Sequence, residues 1–202
     1  MTSITAEQDF SATLELLCGR QSVPAKELHE PAPDDATLER VFEAAVTAPD
    51  HGAIRPWRFF TLRGAARERL GDLFVEATRR RNPDADAETL ETVRGKPLRS
   101  PLIIAVAAKV MENHPKVPPV EQLISASAAA QNILLALNAL GYGAVLLTGP
   151  NTYDPLVKAA FGLGEADYLV GFIYAGTVTA PRREKKRPEA ARFVRAWDGP
   201  LA

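Results

Sequence analysis

The chain has 202 residues, 46% of them apolar and 24% charged, which is enough to bury one substantial core and argues against a second independent domain. A formal net charge of -1 excludes bulk electrostatic attraction to nucleic acid or to an anionic membrane. The lone Cys18 excludes an internal disulfide, and the polar start MTSITAEQDF lacks the charged-then-apolar order of a secretory signal.

No apolar run approaches the roughly 20 residues that span a bilayer. The expectation is therefore one soluble, cytoplasmic domain over residues 1–202, with a polar leader at 1–11 and a basic tail at 181–202. In chain order, "ATLELLCGR" predicts a helix ending near Gly19, whose apolar setting makes Cys18 a buried structural thiol. "DDATLERVFEAAVTAP" sets Leu38, Val41, Phe42, Ala45 and Val46 at helical spacing, with Asp34 or Asp35 as N-cap and Pro49 as stop, so that face should be buried. "RFFTLRG" predicts a strand, and the charged stretch from Ala65 to Arg81 a second helix. The polar segment from Asn82 to Pro97 is helix-prone and reads as a solvated excursion stopped by Gly95-Lys96-Pro97.

"PLIIAVAAKV" is a continuous apolar run of strand length, as expected for a strand buried on both faces. The proline-rich "MENHPKVPPVEQ" leads into "LISASAAAQNILLALNALG", an apolar helix whose small residues permit close approach of another backbone and which is equally a plain core helix. "GAVLLTG" predicts a strand, "DPLVKAAFG" a helix with Asp154 as N-cap, and "YLVGFIYAGTV" a further buried strand. Four strands among more numerous helices indicate a layered α/β or α+β domain.

Arg20, Ser22 and Lys26 cluster two cations and a hydroxyl beyond a helix end, donors suited to a phosphate or simply to solvent. The run Arg182, Arg183, Lys185, Lys186 and Arg187 is equally open, and the two groups become informative only if the fold joins them. Asp50 and His51 are adjacent, but neighbours in extended chain point apart, and His29, His51 and His114 show no metal-ligand spacing. No Gly-x-Ser-x-Gly elbow, Walker loop or complete Gly-x-Gly-x-x-Gly is present; "GYGAVLLTG" has only the first half of the last.

Taken together, "LLCGRQSVP", "APDHGAIRPWRFF", "ENHPKVPPVEQLISASAAAQNILLALNALGYGA", and "LLTG" followed by "LVGFIYAGT" resemble, in order and spacing, the flavin-dependent nitroreductase family and its compact bacterial branch, over roughly residues 12 to 178. The resemblance implies an α+β, nitroreductase-like fold with a central, mainly antiparallel sheet flanked by helices. It also implies an intertwined homodimer with FMN at the subunit interface. Arg20 and Ser22 would hold the FMN phosphate, with Gln21 near the ribityl chain or ring. His51 and Arg55 would come from the partner subunit and lie against the flavin. The backbone of Leu147, Thr148 and Gly149 would line its edge, and Lys185-x-Arg187 has the spacing of the Lys-x-Arg that reaches the phosphate in larger members. Gln131 and Asn132 would face the nicotinamide or substrate side, or hydrogen-bond across the dimer.

The implied activity is an FMN-dependent NAD(P)H oxidoreductase that passes hydride from NADH or NADPH through flavin N5 to a nitro, quinone or similar small acceptor, in a ping-pong cycle with no catalytic side chain and no metal. Ala53 and Arg55 replace the usual Asn and Gln, and that cation favours anionic acceptors. Val120 and Leu146 stand where the close branch often has Trp, so an FMN-binding dimer acting as carrier or sensor without turnover is the alternative. A nucleic-acid module ranks last, because the basic run lacks interleaved aromatics.

Overall fold

The apolar run Leu102–Ala108 is buried along its whole length because it lies inside a four-stranded sheet that is covered on both faces. The strands are β1 (Trp57–Leu62), β2 (Leu102–Ala108), β3 (Gly143–Leu147) and β4 (Tyr168–Gly176), in the order β1-β2-β4-β3, with every neighbouring pair antiparallel. This computed structural model describes residues 6–180, 185–197 and 199. Arg182 and Arg183 of the basic tail lie outside the described residues.

The helices are α1 (Ala6–Gly19), α2 (Asp35–Ala45), α3 (Ala65–Arg81), α4 (Ala87–Gly95), α5 (Pro119–Ala139), α6 (Pro150–Tyr153) and α7 (Pro155–Ala160). Alternation along the strands divides the core in two. Leu102, Ile104 and Val106 of β2, with Ile173 and Ala175 of β4, pack against α2 and α5. Ile103, Ala105 and Ala107, with Phe172 and Tyr174, pack against α3 and α7. The fold is thus the α+β layer with an antiparallel sheet between helices that the sequence implied. Asp34, Asp86 and Asp154 cap α2, α4 and α7, accepting from the backbone N–H of Thr37, Thr89 and Leu156 at 2.8, 2.7 and 2.9 Å. The hydrogen bonds from Thr37 and Thr89 hold the first two carboxyls below the ordinary carboxylate range.

Several expectations are corrected. The helix expected from Ala12 begins earlier, at Ala6 within the polar leader. Cys18 is exposed, as are Leu14 and Leu17 beside it, because α1 lies on the surface of the chain instead of in its core. Val46 is 49% exposed, since α2 ends at Ala45 and the last apolar position turns away from the sheet. The segment 82–97 is largely exposed, as expected, but it is docked rather than detached: α4 packs on α3, burying Val93 and Pro97. Gly71 of α3 permits that contact, because a Cβ there would lie 2.5 Å from the carbonyl oxygen of Arg94. Finally, α5 with its 21 residues is long and apolar enough by composition to cross a membrane, contrary to the expectation that no run reaches that length. Its Ala130, Ile133 and Leu137 pack on the sheet, and its buried Gln122 bonds the main chain of Met111 and Val117, as befits a core helix.

Candidate functional site

The loop that follows α1 is stapled to the free edge of β3. Ser22 bridges Ala144, and the N–H of Val23 donates to the Ala144 carbonyl at 3.1 Å. Gly143 makes this closeness possible, because a Cβ there would sit 2.2 Å from Val178 Cγ2 and 2.8 Å from Leu28 Cδ2. Held in this way, the Arg20 guanidinium reaches Ser22 Oγ at 3.4 Å. The far end of the chain arrives at the same place. Lys185 Nζ donates to the Ser22 carbonyl at 2.9 Å, and Arg187 donates to the carbonyls of Arg20 and Cys18. The cation groups from the two chain ends are therefore joined, while Lys26 lies exposed in a 3-10 turn and does not line the cavity beside them. That cavity, of about 370 Å³, is lined by Arg20, Gln21, Ser22, Glu27, Asn138 and Lys185 on its polar side and by Leu134, Tyr142 and Val178 on its apolar side.

Further along β3, Leu147, Thr148 and Gly149 line a second cavity of about 190 Å³. Gly149 has φ +149°, a conformation a side chain would resist, and Gly171 of β4 lets the turn approach, since a Cβ there would lie 2.9 Å from the Leu147 carbonyl. Lys96, Arg99 and Tyr174 line the same cavity. Burial pushes the Tyr174 phenol up to about 12, against the opposing pull of the Arg99 charge. Sequence reasoning missed these three, because Lys96-Pro97-Leu98-Arg99 reads as a helix stop and Tyr174 as a core aromatic. The available signal was a pair of cations, three positions apart, immediately before a fully buried strand.

His51 opens a 3-10 turn whose backbone is unusual: Gly52, Ala53 and Arg55 have φ of 72, 52 and 55°. Asp50 explains part of it. Its carboxylate accepts from the Arg55 N–H at 2.7 Å, so it braces the turn and is not the partner of His51. That partner is Glu121 at the start of α5, with Nδ1 and Oε2 2.6 Å apart. Arg55 is exposed. On α5, Gln131 is exposed, whereas the Asn132 amide donates to the Ala44 carbonyl at 3.0 Å and to Thr47 Oγ1 at 3.3 Å, tying α5 to the end of α2. Glu121 and Asn138 stand 17 residues apart on one helix, about 26 Å at 1.5 Å per residue. The His51 turn and the Arg20 cavity thus occupy opposite ends of α5. Among the described residues, no three His, Cys, Asp or Glu side chains are placed to hold a metal ion.

With this arrangement in hand, the class is defined by comparison: a sequence profile of the Nitroreductase family matches residues 19–177, and the chain belongs to that family of oxidoreductases. Among its relatives, "Putative NAD(P)H nitroreductase YdjA" of Escherichia coli K12 is 42% identical over 164 residues, covering 81% of this chain and 87% of that protein. A Haemophilus influenzae relative, also named for NAD(P)H nitroreductase, is 35% identical over the same shares. A nitroreductase-like family protein from Bacillus cereus superposes with a TM-score of 0.78 at 22% identity, covering 98% of this chain and all of the other. A Desulfovibrio desulfuricans protein solved in complex with FMN superposes at 0.67 with 25% identity, covering 93% of this chain and 97% of that one.

Proposed function

We propose that the protein is an FMN-dependent NAD(P)H oxidoreductase, acting as a cytoplasmic homodimer, that passes hydride from NADH or NADPH through the flavin to a nitro, quinone or similar small acceptor by a ping-pong mechanism. The observation that carries this reading is the meeting of Arg20, Ser22 and Lys185 at one cavity, with Arg187 bound to the Arg20 carbonyl beside it. Two cations and a hydroxyl at the cavity form a donor set suited to a phosphate, whose oxygens take charge-assisted hydrogen bonds. The rest of the site fits the remainder of FMN. From Gly143 to Leu147, β3 runs about 13 Å between the two cavities, and the second offers Lys96 and Arg99 to a polar ring edge.

Bound there, the flavin supplies the hydride chemistry at N5. The chain's own part is to hold and to orient. Arg20, Ser22, Lys185 and Arg187 fix the phosphate, Gln21 lies by the ribityl chain, and the main chain of Leu147, Thr148 and Gly149 follows the ring edge. Lys96 and Arg99 make no ion pair among the described residues, so their charge is available to favour negative charge on that edge. One flavin meets both ends of α5 only if His51 and Arg55 come from a second copy whose α5 runs antiparallel to the first. Val120 and Ile124, 56% and 62% exposed on α5, supply the apolar contact for such a pairing. Arg55 then gives the acceptor pocket a positive charge, which favours anionic acceptors, and exposed Gln131 is the better nicotinamide-side candidate, because the Asn132 amide is committed to α2.

An anaerobic absorbance spectrum of the protein with FMN, before and after NADH or NADPH, tests this reading. Bands that bleach and return with a quinone or a nitroaromatic are the expected result. Flavin that binds without bleaching would leave a carrier or sensor, and no binding at all would overturn the reading.

A further inference from the structure

Tyr174 is 3% exposed, and it makes no hydrogen bond among the described residues. Its hydroxyl is not among the fully buried polar atoms that lack a partner, so the oxygen itself opens on the cavity that the residue lines. The cavity it lines, of about 190 Å³, contains few other unengaged polar side chains. Thr152 Oγ1 donates to the Gly149 carbonyl at 2.8 Å, and Asn151 Oδ1 accepts from Arg81 at 2.7 Å. Lys96, Arg99, Thr148 and Tyr174 are left facing the space beside Gly149.

Donors dominate this group. Lys96 and Arg99 donate only, while the Tyr174 phenol and the Thr148 hydroxyl can each donate one hydrogen bond as well as accept. The cavity therefore suits an acceptor oxygen on a planar ligand, with Phe74 and Phe172 forming its apolar wall. Because burial raises the phenol to about 12, it keeps its proton throughout the neutral range and stays a donor.

We propose that Tyr174 is a positioning residue for the flavin, its phenol donating to a carbonyl oxygen on the ring's pyrimidine edge between Lys96 and Arg99. This rests on the FMN reading above. The phenol then helps to seat the ring and, with the two cations, stabilises negative charge on that edge, which sets the potential of the bound flavin.

The test is Tyr174→Phe, which removes the hydroxyl and keeps the ring that packs in the core. FMN and riboflavin affinities and the midpoint potential of the bound flavin are measured for this variant, for Arg20→Ala and for the unaltered protein. Tyr174→Phe is expected to weaken both ligands by about 5- to 10-fold, the effect of one lost hydrogen bond, and to make the potential more negative. Arg20→Ala should weaken FMN but not riboflavin, which has no phosphate. If the unaltered protein binds FMN and Tyr174→Phe changes neither affinity nor potential, the role of Tyr174 is overturned and the FMN reading stands. If the unaltered protein takes up neither ligand, both fall together.

Discussion

Arg20 and Arg187 stand 167 positions apart in sequence, yet the Arg187 guanidinium donates to the Arg20 carbonyl. Each lies in a short basic stretch that has no meaning by itself, and only the fold brings the two together. Arg20→Ala removes a charged hydrogen bond from the proposed phosphate site and is expected to weaken FMN binding by about 2 kcal/mol, roughly 30-fold. Fluorescence titration of FMN checks it; unchanged affinity would place the phosphate elsewhere. Other residues show the limit of local reading. Sequence put an acid beside His51, but adjacent side chains diverge, and the imidazole instead meets Glu121, 70 positions away. Tyr174 could not be joined to the Lys96 and Arg99 pair for the same reason: strand β4 and the turn before β2 meet only in three dimensions.

At the scale of elements the sequence was far more legible, because periodicity is a local property. The helix expected from Ala65 to Arg81 spans Ala65–Arg81, and the apolar run around Leu102–Ala108 is a strand buried on both faces. What failed was the judgement of faces. The segment 82–97 is polar in composition, yet Val93 and Pro97 are buried, because two apolar side chains and a glycine on the neighbouring helix suffice to dock it. Gly71 decides that contact, since the atom a Cβ would strike is a backbone oxygen that cannot turn aside. Gly71→Ala is therefore expected to cost about 1–3 kcal/mol, although alanine is the better helix former by about 1 kcal/mol. Urea denaturation measures it. A variant as stable as the parent would show that α4 shifts freely on α3, and that the docking of 82–97 contributes little.

For the whole molecule, one chain holds only part of the proposed site. Leu14 and Leu17 on α1 and Val120 and Ile124 on α5 are exposed in the single chain. Leu14 and Leu17 are three residues apart, and Val120 and Ile124 four, so each pair lies on one helical face. Sequence alone marked α5 by its small and apolar residues but left open whether they served the core or a neighbour; the structure divides them, with Ala130, Ile133 and Leu137 turned inward and Ile124 outward. Ile124→Glu places a charge on the outward face and disturbs no packed neighbour of the core. The expected product is a folded monomer, with unchanged far-ultraviolet circular dichroism and a halved mass in sedimentation. Its FMN affinity should fall as well, because in the proposed dimer the second chain brings His51 and Arg55 to the flavin, while the His51 partner Glu121 stands about 26 Å along α5 from Asn138 at the Arg20 cavity. A monomer that binds FMN as tightly as the parent would mean that a single chain completes the site. A variant that remains dimeric would move the interface off this face of α5.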